Sequence, residues 1–326
     1  MVDYLQLLAV PTTLPEGPTN TYLLTSDPIT LIDTGPRDNQ AEPALRAKLG
    51  ERGLAFSDIK RIIVTHAHID HFGLAGQIIR ESRAKLYSHA RNYYWLTEYH
   101  IEWARRFGYY AELLARFGAP RGAIDGMIDG ISALMPRAAS IPEDSFIPLG
   151  DGQVMRLDGD DWQIIHAPGH ASGMIVLYEP KSKTLLSSDH ILRDITSNPI
   201  LEPPARGEPE RPRSLPDYIR SLQKIASLDI DVALPAHGEP VYDVGALIEG
   251  RLAFHRKRKE RIAGVLKEPL TPYEIALIIF PNLKQMDIFL GLSEVIGHLD
   301  LLEDEGRVAH FDSNGVTRYS MREEKS

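Results

Sequence analysis

The chain has 326 residues, 43% of them hydrophobic and 25% charged, with 36 Lys and Arg against 45 Asp and Glu and a net charge of −9. That composition supports a packed core and argues against a broad phosphate-binding face, because nucleic-acid affinity rests on Lys and Arg neutralising phosphates. There is no Cys, which excludes a disulfide framework, a thiolate nucleophile and thiolate metal ligands.

The first elements read as strands. Tyr22–Thr25 and Ile29–Asp33 are short apolar runs separated by Ser26-Asp27-Pro28, the pattern of a hairpin. Residues 40–52 place Ala44, Leu45 and Leu49 at helical spacing before Gly53. Ile59–Thr65 is a buried strand, Leu74–Glu81 the next helix and Ala84–Ser88 the next strand, so an α/β layered domain is expected. No run of about 18 apolar residues occurs, so no membrane helix is expected. The first basic residue is Arg37, unlike a signal peptide, and a cytoplasmic location is the simplest expectation.

Residues 91–145 break the pattern. They read as helical and hold nine of the chain's 25 aromatic residues, Trp95 and Trp103 among them. This stretch is expected to be an insertion, serving either as a wall of a substrate cavity or as a packing or dimer surface. Strands then return at Gln163–His166, Met174–Tyr178, Thr184–Ser187 and Val232–Pro235. A long helix over 243–266 carries the basic run Arg256–Arg261, read as a solvated face. Helices at Thr271–Ile278, Met286–Leu292 and Ser293–Glu305 follow, then a hairpin turning at Asn314-Gly315. This order resembles a winged helix. The expected division is a catalytic domain over 1–250, with the insertion at 91–145, and a linking helix plus winged-helix-like domain over 251–326. The third helix, Ser293–Glu305, has no Lys or Arg, so it lacks the phosphate contacts that position DNA-reading modules.

The informative string is Thr65-His66-Ala67-His68-Ile69-Asp70-His71, directly after a buried strand. On a strand end, His66 and His68 project to one side and can grip one ion; Asp70 and His71, a turn later, can grip a second. Imidazole with carboxylate suits zinc, and also iron or manganese. His170 in Pro168-Gly169-His170, Asp189 at a strand terminus and His237 in Ala236-His237-Gly238 each sit where a strand gives way to a loop, as catalytic groups on rigid scaffolds do.

Together, His66, His68, Asp70, His71, His170, Asp189 and His237 resemble the motif set of the metallo-β-lactamase superfamily, and within it the glyoxalase II and lactamase-like hydrolase branch. Asn20–Leu23 and Leu31–Gly35 resemble its opening hairpin. The resemblance covers roughly residues 5–250. It implies a four-layer αββα sandwich with two divalent metal ions at one edge. By that likeness His66, His68 and His170 hold the first ion and Asp70, His71 and His237 the second; Asp189 bridges them and Asp33 stands close behind. Glyoxalase II ends in a helical domain that helps bind glutathione; this chain ends differently, so glutathione is not the expected substrate. The absence of Cys sets it apart from lactamases that use one at the second metal, and antibiotic hydrolysis is not expected.

The expected activity is hydrolysis of a small thioester or activated ester by a metal-bridging hydroxide, with no protein nucleophile. A metal-dependent ribonuclease or phosphodiesterase is the alternative, and a non-catalytic binding protein retaining the fold is a second. The expected partner is a small-molecule acyl substrate, not nucleic acid or a membrane, and a homodimer is a further possibility. Asp70 is expected to serve catalysis as well as metal binding. His190, next to Asp189, is a candidate proton donor or cavity residue, although packing against the sheet is the more ordinary use of such a His. Arg193 and Asn198 are candidate contacts to an acidic substrate. His89 and His166 are expected to be structural, and His255, His298 and His310 to be surface or packing residues.

Overall fold

The computed structural model describes residues 5–283 and 285–322, without the side chains of Gln285 and Met286. Six strands form one sheet in sequence order: β1 (Leu5–Val10), β2 (Thr19–Leu24), β3 (Thr30–Ile32), β4 (Arg61–Ile63), β5 (Lys85–His89) and β6 (Phe146–Leu149). Five more form a second sheet: β7 (Val154–Leu157), β8 (Asp160–His166), β9 (Ile175–Glu179), β10 (Thr184–Ser188) and β11 (Val232–Pro235), ordered β11-β10-β9-β8-β7. β3, β4, β5 and β6 pair in parallel, while β1, β2 and β3 pair antiparallel. β2 and β3 form the expected hairpin.

Successive side chains on a strand face opposite sides of a sheet, and here both sides are apolar. On β9, Ile175 and Leu177 face the space between the sheets, while Val176 and Tyr178 face outward under helices. On β4, Ile63 joins the inner layer and Ile62 the outer one. The inner core, with Trp162, Ile164, Leu186 and Leu234, lies between the two sheets. Helices α1 (Ala41–Gly50), α2 (Ile69–Phe72) and α3 (Ala75–Ser82) contribute Leu45, Leu49, Phe72 and Ile78 to the core on one outer face. After the insertion, α7 (Ser214–Ala226) and α8 (Val244–Val265) cover the other outer face with Tyr218, Leu222 and Ile248. The result is the α/β, four-layer αββα sandwich expected from the sequence.

The insertion is the crossover between the parallel strands β5 and β6. It contains α4 (Tyr93–Thr97), α5 (Tyr99–Arg116) and α6 (Arg121–Ser132). After α8 come α9 (Pro272–Ile279), α10 (Gln285–Asp304) and the hairpin of β12 (Val308–Ser313) and β13 (Val316–Met321). α9 starts at a capping box, with Thr271 Oγ1 accepting from Glu274 N–H and Glu274 accepting from Thr271 N–H.

Several details differ from the sequence reading. Leu5–Val10, Phe146–Leu149 and Val154–Leu157 are additional strands, and Ser214–Ala226 is an additional helix. The two helices expected at 286–292 and 293–305 are one continuous helix, α10. Its apolar residues Phe289, Leu292, Val295, Ile296 and Leu299 share one core with Tyr110, Leu114, Phe117 and Met127 of the insertion. At Gly297 the helix runs so close to α7 that a Cβ would lie 2.6 Å from Leu215 Cβ.

Candidate metal centre

The donor side chains follow the C-terminal ends of strands, directly or within one helical turn. β4 leads through Val64 to Thr65, whose carbonyl accepts a hydrogen bond from Ile175 N–H (2.9 Å) and so ties the two sheets together beside the site. His66 and His68 follow at once; His68 precedes α2, and Asp70 and His71 lie on that single turn. His170 follows β8, Asp189 follows β10 and His237 follows β11. Ala236 N–H donates to Ser188 O (3.1 Å), holding the last two loops in register. Gly169 explains the turn before His170. Its φ is +141°, and a Cβ there would lie 2.4 Å from the Tyr218 backbone, so only glycine lets this loop lie against α7.

The structure brings together all seven residues singled out in the sequence. His66, His68, His170 and Asp189 offer donor atoms within 4.8 Å of one another, and so do Asp70, His71 and His237. His68 Nδ1 lies 2.9 Å from the Nε2 atoms of both His66 and His170. Asp189 joins the two sets. Its Oδ2 is 3.4 Å from His170 Nε2, 3.8 Å from His66 Nε2 and 3.4 Å from His71 Nε2, and its Oδ1 is 3.6 Å from His237 Nε2. Asp70 Oδ2 lies 3.4 Å from His71 Nε2 and 3.2 Å from His237 Nε2. Donors bound at about 2.0–2.2 Å around a tetrahedral ion stand roughly 3.3–3.6 Å apart, close to most of these separations.

The groups behind the donors fix their orientation. Asp33 Oδ2 accepts from His71 Nδ1–H (2.8 Å) and from the Thr65 hydroxyl (2.8 Å), and Asp33 Oδ1 accepts from Thr65 N–H (2.9 Å). His170 Nδ1–H donates to Asn198 O (3.0 Å) and His237 Nδ1–H to Pro18 O (3.0 Å). In these three residues Nε2 is thereby the atom left bare toward the site, the usual arrangement for metal-binding imidazoles. Asp33 and Ser188 hold φ values of 59° and 48°, the left-handed region that non-glycine residues seldom adopt.

Electrostatics point the same way. Burial, followed by the neighbouring imidazoles, pushes His66 well below its ordinary value. His68 is pushed down to about 3, chiefly by burial and by His170. Burial also lowers His170. Burial opposes charge on His71 and His237 too, but the nearby carboxylates outweigh it, raising His71 and holding His237 at about 9. The same contacts pull Asp70 and Asp189 below the usual carboxylate range against the opposing effect of burial. Among the described residues, His71 Nε2, His237 Nε2 and Asp189 Oδ1 are buried without a hydrogen-bond partner. Buried polar atoms are seldom left unpaired, and all three converge on one space. This donor set fits divalent metal ions.

His190 is not placed with this set. It is fully buried, its ring 4.9 Å from that of Tyr218, among Leu222, Leu247 and Ile248. The backbone turns at Ser188, and while Asp189 enters the site, His190 packs behind it. Burial pushes it down to about 3, so it is neutral, and neither ring nitrogen has a partner. This placement is the packing against the sheet that the sequence reading gave as the more ordinary use of such a His, and not the candidate proton-donor position. Arg193 is exposed and paired with Asp194 at 3.0 Å. Asn198 acts through its carbonyl on His170, a backbone role with no side-chain signal. His89 and His166 stack on each other at 3.9 Å, away from the donors.

Beside His68 a small recess of about 40 Å³ is walled by Trp95 and Arg106 of the insertion together with Ser172 and Glu202. Trp95 Nε1–H donates to Ala67 O, within the metal loop. The insertion thus lines the cavity, and sequence reasoning missed Arg106 and Glu202.

The family profile described as "Metallo-beta-lactamase superfamily" matches residues 14–237. The "Probable metallo-hydrolase YqjP" of Bacillus subtilis is 34% identical over 320 residues, covering 97% of each chain. The "Atrochrysone carboxyl ACP thioesterase" of Emericella nidulans is 24% identical over 310 residues, covering 92% of this chain and 79% of the relative. Among solved structures, the metallo-beta-lactamase family protein TTHA1429 from Thermus thermophilus superposes with a TM-score of 0.81 at 28% identity, covering 98% of this chain and 99% of that one.

Proposed function

This chain belongs to the metallo-β-lactamase superfamily and is a metal-dependent hydrolase, and from that premise we propose that it cleaves a small acyl thioester or activated ester. The observation that carries the reading is the Asp189 carboxylate, which lies between two complete donor sets and can serve both. His66, His68 and His170 would hold one ion, and Asp70, His71 and His237 the other. Two ions held there would supply a hydroxide near neutral pH and polarise the acyl oxygen.

The chain's own residues supply position and exclusion. Asp33 fixes the ring of His71. Asn198 O and Pro18 O fix His170 and His237. Trp95, tied to the metal loop, closes one side of the recess against water. Hydrolysis adds OH to the acyl carbon, breaks its bond to the leaving sulfur or oxygen, and delivers a proton to the leaving group. A thiolate with a pKa near 8.5 leaves with little proton assistance. That suits a site whose one adjacent extra His, His190, is packed away from the donors. The net charge of −9 and the similarity to a relative named a thioesterase support this substrate class over RNA.

The test is a hydrolysis panel of acyl thioesters, activated esters, lactones, phosphodiesters and RNA with metal-replete protein. Thioesters or activated esters should be cleaved with the highest kcat/KM. Cleavage of RNA or phosphodiesters in their place would put a nuclease reading forward.

A further inference from the structure

The recess beside His68 continues outward into a second one, and the two share Arg91, Trp95, Arg106, Ser172 and Glu202. Arg105 and Arg206 line the outer part. Three of these four arginines are held by two or three hydrogen bonds each. Arg91 forms two hydrogen bonds to Glu208 (2.8 and 3.2 Å). Arg105 binds Glu102 (2.8 and 3.1 Å) and Pro204 O (2.9 Å). Arg206 donates to Glu102 (2.6 Å) and Glu98 (2.8 Å).

Arg106 is different. Its side chain is only 17% exposed, yet its Nε is buried with no partner. Its one hydrogen bond among the described residues is a 3.5 Å contact to the Tyr110 hydroxyl. Glu202 is 3.8 Å away, beyond hydrogen-bond reach, and both its oxygens already accept from Ser172, at 3.1 Å from N–H and 2.7 Å from the hydroxyl. The guanidinium instead lies over the Trp95 ring at 4.1 Å, and that ring is anchored to Ala67 between His66 and His68. A guanidinium held in a low-dielectric recess with most donors unused costs desolvation energy that a fork-shaped anion would return. Arginine matches carboxylate and phosphate geometry through paired donors.

We propose that Arg106 binds a carboxylate or phosphate group of the substrate, so that the thioester or ester cleaved at the metal centre is an anionic one. This rests on the hydrolytic reading above. The charge sits either on the acyl chain or on the leaving thiol, and Trp95 sets its distance from the metals.

Two matched pairs of thioesters test the proposal with metal-replete protein. One pair compares butyryl with glutaryl N-acetylcysteamine, placing the charge on the acyl side. The other compares butyryl N-acetylcysteamine with butyryl phosphopantetheine, placing it on the thiol side. In one pair, kcat/KM for the anionic member should exceed that of the neutral one by roughly 10- to 100-fold, the range for a hydrogen-bonded charge pair. Arg106→Gln should collapse that ratio toward one and Arg106→Lys should restore part of it. A ratio that Arg106→Gln leaves unchanged, with both members slowed alike, would make Arg106 a strut for Trp95 and overturn the proposal. If no thioester or ester is cleaved, the hydrolytic reading fails instead. Calorimetry with glutarate and with inorganic phosphate then decides on Arg106: binding about tenfold weaker in Arg106→Gln supports it, and equal binding overturns it.

Discussion

Asp189 is the residue on which the site depends most. Its two oxygens face four imidazoles drawn from both donor sets. Asp189→Ala should therefore remove more than one ion's worth of binding strength. Elemental analysis after dialysis should find clearly less than the wild-type metal content, with kcat/KM down at least 10²-fold, the upper range for disturbing a metal's surroundings. Retention of the full wild-type metal content would remove Asp189 from its bridging place. At this scale the sequence was highly informative about donors and silent about their holders. His66, His68, Asp70 and His71 are consecutive enough to be read as one cluster. Pro18 and Asn198 act through backbone carbonyls, which every residue has, so no side-chain pattern announces them. His190 shows the converse: adjacency to Asp189 suggested shared chemistry, but at a strand end neighbouring side chains diverge.

Among the elements, the insertion and α10 carry the account furthest. Trp95 on α4 donates to the metal loop and seats Arg106 of α5. Trp95→Ala should raise KM several-fold while metal content stays at the wild-type value. A change confined to thermal stability would leave the insertion with a packing role alone. The break expected at Ser293 fails for a physical reason. Serine commonly caps a helix, but here its hydroxyl donates to Phe289 O one turn back (2.8 Å) and accepts from Leu201 N–H (3.1 Å), so it is satisfied within the helix.

His255 of α8 and His298 of α10 face each other at 3.4 Å, with Arg251, Arg258, Lys259 and Glu294 around them. Burial pushes His255 to about 3, reinforced by His298 and the arginines, and pushes His298 to about 4. Because both folded values lie below the ordinary 6.5, the neutral pair's contribution to stability is full above pH 6.5 and is lost as pH falls through about 4 and 3. His255→Leu should flatten the fall of Tm over that interval. An unaltered slope would contradict this.

For the molecule as a whole, the layered order was legible where strands such as β4, β9 and β10 are largely apolar and buried and helices such as α3 have one apolar stripe. The edge strand β1 was not, since Leu5-Gln6-Leu7-Leu8-Ala9-Val10 alternates poorly and Leu7 is half exposed. Nor was the union of the C-terminal segment with the insertion, which follows from which cores meet and not from any local pattern. His298 and Asp300, on the helix that would read DNA in a winged helix, are almost completely buried. Arg211 holds Asp300 through hydrogen bonds of 2.6 and 2.9 Å. Arg211→Ala leaves that carboxylate buried without its hydrogen bonds to Arg211, with only Arg213 nearby at 3.8 Å, and should lower folding stability by about 3 kcal/mol in denaturant unfolding. A change below about 0.5 kcal/mol, the size typical of surface substitutions, would show that the C-terminal segment is not locked to the catalytic layers through this pair.

The central claim, that two donor sets sharing one carboxylate create a hydrolytic centre, is tested most directly by titrating metal-stripped protein with a divalent ion and following hydrolysis of an acyl thioester. Activity should rise until two equivalents are bound and then stop rising, with Asp189→Ala showing no such endpoint. Full activity at one equivalent, or none at any loading, would contradict it.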